Sequence, residues 1–205
     1  MFWQSLTNFG DAAAMLPAAA AIAAWLAAGR AWRAVAVWML VMVLASATVT
    51  ATKIAFLGWG IGIRSIDFTG FSGHSLLATA VMGIGARLSV QGRSDGTRLL
   101  ALLLGFAAGI AVGVSRVALE YHSPSEAIAG CLLGICAGLC FVWWSEPLPP
   151  PVSAPRRLGA ALLLLLLVIH GQRAPTQQWI AGFAVYMSGH AEPYTRTVWA
   201  EPHRS

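Results

Sequence analysis

Charge is what this sequence has least of. Only 10% of its 205 residues are Asp, Glu, Lys or Arg, while 58% are hydrophobic, and the mean hydropathy is +0.69. So few ions cannot cover the surface of a water-soluble domain, so the composition excludes one and points to a chain that lives in a bilayer. Cysteine is scarce too. Cys131, Cys136 and Cys140 fall in one apolar run, without the paired spacing of a metal knuckle or an exposed disulfide framework, and read as small packing side chains. The opening "MFWQSLTNFGD" has no Lys or Arg, so no signal peptide is expected.

What is present is long apolar runs. Residues 12–29, 34–52, 99–115, 127–145 and 158–172 carry no charge, and 72–90 is interrupted only by Arg87, which can snorkel from a helix end. The pattern predicts an all-α, polytopic membrane bundle with about six transmembrane helices over 1–173, followed by an amphipathic outer-face tail over 174–205. Arginine sets the orientation. Arg30, Arg33, Arg87, Arg93, Arg98, Arg156 and Arg157 would share the cytoplasmic face. Lys53, Arg64, Arg116, Arg173, Arg196 and Arg204 would lie opposite. The net charge of +5 is then a topology signal and calls for no nucleic acid. Trp179, Phe183, Tyr186 and Trp199 in the tail suit the headgroup zone.

Glycine punctuates two of these runs at every fourth position, as Gly105, Gly109 and Gly113, and as Gly130, Gly134 and Gly138. Such ridges let membrane helices approach closely, so the two helices are expected to pair and to pin the connecting stretch "SRVALEYHSPSE". In that stretch Ser123 reads as a helix N-cap, Pro124 as the first helical residue and Glu126 as the third. His122 therefore stands just outside a helix start, where free N–H groups favour an anion. A capping box beside an interfacial histidine would account for the same residues.

Ser-Gly-His occurs twice among only five histidines. Ser72-Gly73-His74 precedes an apolar run on the outer face, with Ser72 suited to capping and Gly73 to close backbone approach. Ser188-Gly189-His190 is followed by a polar, proline-containing segment with no helix start to hold a phosphate, and reads as an exposed tail. His170 reads as an interfacial polar residue. Lys53 and Arg64 bracket "GWGIGI" on the outer face.

Taken together, "FSGH" and "SRVALEYHSPSE" resemble the second and third motifs of the type 2 phosphatidic acid phosphatase superfamily. Phe71 stands in place of Pro and Glu126 in place of Asp, and the resemblance covers roughly 34–138. The first motif departs. The family spaces Lys and Arg seven apart with Pro following, whereas Lys53 and Arg64 are eleven apart and Ser65 follows. On a straight helix that spacing is ~16 Å, so either the glycines fold Arg64 back or only one of the two binds phosphate. Asp67 is open among partnering Arg64, orienting His74 and serving a turn.

The resemblance implies a metal-independent, cofactor-free hydrolase acting on lipid phosphates or diphosphates. His122 would be the nucleophile, Glu126 would fix its tautomer, and His74 would protonate the leaving group and then activate water. Lys53, Arg116, Ser72, Gly73 and Arg64 would bind phosphate. The expected location is the inner (cytoplasmic) membrane, with the active site facing the periplasm or cell exterior. A transporter-like or non-catalytic member of the same fold is the alternative, although nearly all ionisable groups sit at the rims of the runs rather than inside them. The sequence leaves the oligomeric state open.

Overall fold

The computed structural model describes residues 2–148, 154–172 and 174–197; Arg173, Trp199 and Arg204 lie outside the described residues. Several of the helices start where a side chain or a proline stands in for the missing hydrogen bonds. A short helix α1 (Phe2–Asn8) leads to Asp11, whose carboxylate accepts from Ala13 N and starts α2 (Ala12–Ala28). After α3 (Trp32–Trp59), Gly60 takes a left-handed conformation at φ 66°. A 3-10 turn (Arg64–Ile66) follows, with an isolated bridge between Ile63 and Phe68. Ser72 caps α4 (Gly73–Ser89), Ser94 caps α5 (Asp95–Ala118), and Ser123 with Glu126 forms a capping box on α6 (Pro124–Ser145). Proline opens α7 (Pro155–Ile169), and α8 (Thr176–Ser188) follows.

Four stretches among the described residues are long and apolar enough to cross a membrane: Phe2–Ala28, Trp32–Trp59, Asp95–Ala118 and Pro124–Ser145. Their outward faces expose Leu40, Leu44, Leu100, Leu104, Leu132 and Leu139, as suits lipid contact. The chain is an all-helical, multi-pass membrane protein. The other two expected spans, α4 and α7, are 17 and 15 residues long, short of the ~20 that a spanning helix needs.

α4 is the centre of the bundle. It is buried on nearly every side and packs on α5, α6, α7 and α2. Most of both glycine ridges faces it, while Gly113 meets Cys131 of α6 and Gly138 meets Phe106 of α5. A Cβ at Gly105 would lie 2.4 Å from Met82 O, and one at Gly109 2.3 Å from Thr79 Cα. From the other side, a Cβ at Gly130 would lie 2.5 Å from Ser72 O, and one at Gly134 2.7 Å from Leu76 O. α5 and α6 pair directly as expected, at Gly113 with Cys131 and at Gly138 with Phe106, and both also pack on α4, whose own Ser75, Ala78 and Ala80 let two helices reach its backbone at once. The start of α4 is thereby held by backbone contact to the ends of α5 and α6.

At the far end of the bundle, Glu146 accepts from both Arg87 and Arg98 and ties α4, α5 and α6 together. Trp38 donates to Ala19 O at 3.0 Å, joining α3 to α2, and its ring meets Phe141 edge-on. The tail lies on the other end of α3: Tyr194 N donates to Leu57 O at 2.8 Å, and α8 passes beside Gly58.

Candidate active site

A cavity of about 600 Å³ lies where α2, α4 and α6 begin and α3 and α5 end. Its polar lining includes Lys53, Gly73, His74, Arg116, His122, Glu126 and Arg196, and Leu16, Val49, Phe56, Leu77 and Ile180 form an apolar wall.

His122 is placed by the turn that ends α5. Glu120 takes a positive φ of 57°, and the N–H groups of Tyr121 and His122 both return to Arg116 O. The imidazole Nδ1 lies 2.6 Å from Glu126 Oε2, which leaves Nε2 as the ring nitrogen available to the cavity. Glu126 is 1% exposed and heavily partnered. Oε2 also accepts from Ser123 N at 3.3 Å, and Oε1 accepts from Thr69 N at 2.8 Å and from the Thr69 hydroxyl. The capping box and the His122 contact are thus one arrangement, because a single carboxylate at the third helical position reaches both. Burial pushes the His122 imidazole below its usual pKa; its hydrogen bond with Glu126 opposes this, and the positive charges of Lys53 and Arg116 add to it. The ring is held neutral near pH 7.

His74 occupies the second position of α4, and its Nε2 lies 3.3 Å from Asp11 Oδ2. Lys53 donates to Gln177 of α8 at 2.8 Å. Arg116 donates to Thr7 of α1 at 3.2 Å and stacks 4.4 Å from the Tyr121 ring centroid. The loop before α4 is drawn in at Gly70, whose φ of 144° lets it cross α3 so closely that a Cβ would lie 3.3 Å from Lys53 N. That crossing delivers Thr69 to Glu126.

The structure does not bring every candidate together. Arg64 sits on the exposed 3-10 turn and does not line the cavity, because Gly60 ends α3 and sends the chain outward. The Ser72 side chain is fully buried against Ser75, 2.9 Å from its hydroxyl, and turns away from the cavity. Asp67 pairs with Arg196, Nη1 to Oδ2 at 3.3 Å. His190 lies outside the cavity, its Nδ1 2.8 Å from Gly58 O.

Three residues escaped the sequence reading. Arg196 reaches in from the tail, its Nη2 2.7 Å from Glu126 Oε2, and so adds a cation to the cavity lining. Thr69 and Asp11 are the others. Asp11 before "AAAMLP" carries a readable N-cap signal, but nothing in the sequence joins it to a histidine 63 positions on. Among the described residues, no three His, Cys, Asp or Glu side chains gather as a metal site.

The PAP2 superfamily matches residues 58–149 of the chain. A protein of Klebsiella pneumoniae described as an uncharacterized 22.5 kDa protein in the cps region is 38% identical over 202 residues, covering 96% of this chain and 97% of that protein. The zinc transporter ZupT of Chlorobium phaeovibrioides is 32% identical over 94 residues, 42% of this chain and 35% of the transporter. No solved structure matches the chain.

Proposed function

Because the chain belongs to the PAP2 superfamily, whose members are phosphatases, we propose that it hydrolyses a lipid phosphate or diphosphate at the outer membrane face through a phosphohistidine on His122. The observation that carries this reading is the 2.6 Å contact between His122 Nδ1 and Glu126 Oε2. It commits one ring nitrogen to a buried carboxylate and leaves a neutral Nε2 beside cations.

In the first half-reaction the Nε2 lone pair of His122 forms the P–N bond as the P–O bond to the leaving group breaks, and a proton held on His74 passes to the departing alkoxide. In the second, His74 takes a proton from water, the water oxygen bonds to phosphorus, and the P–N electron pair returns to His122. Lys53, Arg116, Arg196 and the Gly73 N–H hold the charge on the non-bridging oxygens. The apolar wall of the cavity, which α8 completes, suits a lipid chain continuing from the phosphate.

Phosphate release should be measured from undecaprenyl diphosphate, phosphatidylglycerol phosphate, phosphatidate and lipid A phosphates, with rapid quenching to trap phosphohistidine. Replacing His122 or His74 with Ala should lower turnover by about 10²–10⁴-fold and His190→Ala by little. Label trapped on any residue other than His122 would overturn the mechanism. A purified protein that moves a solute and hydrolyses none of these lipids would favour the transporter-like alternative, to which the partial similarity to a zinc transporter lends its only support.

A further inference from the structure

We infer that Asp11 is a positioning residue for His74, orienting the imidazole that delivers and withdraws the proton; this rests on the phosphatase reading above. The two histidines of the cavity have the same kind of partner. His122 has Glu126, and His74 has Asp11, whose side chain is 10% exposed against 25% for His74. The two Asp11 oxygens divide their work. Oδ1 accepts from Ala13 N at 2.9 Å and from Ala174 N at 2.9 Å, which caps α2 and fastens the segment before α8. Neither contact needs a charge, and neither uses Oδ2. That oxygen points at His74 Nε2 from 3.3 Å.

A carboxylate there accepts the Nε2 proton whether the ring is neutral or charged, so the exchangeable proton is confined to Nδ1, the nitrogen left for the cavity. Arg116 from α5 and Lys53 from α3 are the other charges felt by the ring. Burial does most to lower the His74 pKa and the two positive charges lower it further, whereas Asp11, by its hydrogen bond and its charge, opposes them and is the group near His74 that favours the protonated form. The device is therefore needed where His74 acts as an acid, which is when the leaving group is a poor one.

Asp11→Asn separates this role from capping. Asparagine keeps an oxygen for Ala13 N and Ala174 N, and it is itself a good N-cap, but it presents an NH₂ to Nε2 and cannot accept from it. First-turnover release of the leaving group should be compared for an alkyl phosphate, which needs an acid, and an aryl phosphate, which does not. The alkyl rate should fall by at least about tenfold and the aryl rate by several-fold less, with the melting temperature held. Asp11→Ser, which caps without reaching His74, should show the same selective loss should the Asn variant fold poorly. Equal losses on both substrates in the folded variants would leave Asp11 as a cap and overturn the proposal. A wild-type chain that hydrolyses neither substrate would instead overturn the phosphatase reading, and the role of Asp11 with it.

Discussion

At the scale of the residue, the environment of Glu126 does most to define the site. Its carboxylate meets His122, Ser123, Thr69 and Arg196 within one buried spot, so replacing it by Gln preserves the helix start and exchanges one acceptor oxygen for a donor. The wrong imidazole tautomer then competes, and turnover should fall by about 10²-fold or more with a small change in melting temperature. pH separates the causes further. Burial does most to shift His122 and disfavours the charged ring, so its folded pKa lies below the usual histidine value. The proposed nucleophile is therefore neutral at pH 7 and is lost only as pH falls through that lowered value. Corrected for the substrate's own titration, the acid limb of kcat/KM should lie below about pH 6.5. In Glu126→Gln, which removes the contact that favours protonation, it should move lower still. An acid limb that moved to higher pH would contradict the assignment of Glu126 as the partner of His122.

At the scale of the element, glycine at α4 is a matter of reach rather than flexibility. A Cβ at Gly109 would lie 2.3 Å from Thr79 Cα, a backbone atom that no rotamer change removes. Gly109→Ala must therefore push α5 off α4, at a cost of about 1–3 kcal/mol. Activity should fall with it, since the displaced helix carries Arg116. Gly182 in α8 has no atom within 4 Å of its would-be Cβ. Gly182→Ala should stabilise by about 0.4–1 kcal/mol through the unfolded chain. Thermal unfolding in detergent reads both signs, and a neutral Gly109→Ala would contradict the close approach of α5 to α4.

At the scale of the whole molecule, every candidate catalytic group lies at one end of the bundle and the Arg87–Arg98–Glu146 cluster at the other. The arginine asymmetry of the sequence predicts that the active end faces outside. In a chain freed of its native cysteines, Arg64→Cys or Asp67→Cys should react with a membrane-impermeant maleimide in intact cells whose outer membrane, if present, admits the reagent. Labelling only after lysis would reverse the orientation and, with it, the proposed pool of substrate. The same arrangement accounts for the shortness of α4: a helix wrapped by α2, α5, α6 and α7 satisfies its apolar side chains against protein and needs no lipid-matched length.

The sequence by itself determined the solvent of the chain, the all-helical class, the starts of α4 and α6, and the spacing that puts Glu126 within reach of His122. Each of these follows from composition or from contacts no more than four residues apart, where local geometry leaves little choice. The span count was less legible, because hydropathy records how apolar a helix is and not whether protein or lipid covers it. The rest of the candidate site was decided by tertiary structure. Asp11 is 63 positions from His74, Thr69 is 57 from Glu126, and Arg196 is 70 from it. Gly60 turns the chain that carries Arg64 outward. Such meetings depend on where α4 is wedged between two glycine ridges and on how the tail folds back over α3, and no local spacing encodes a contact made by the packing of separate helices.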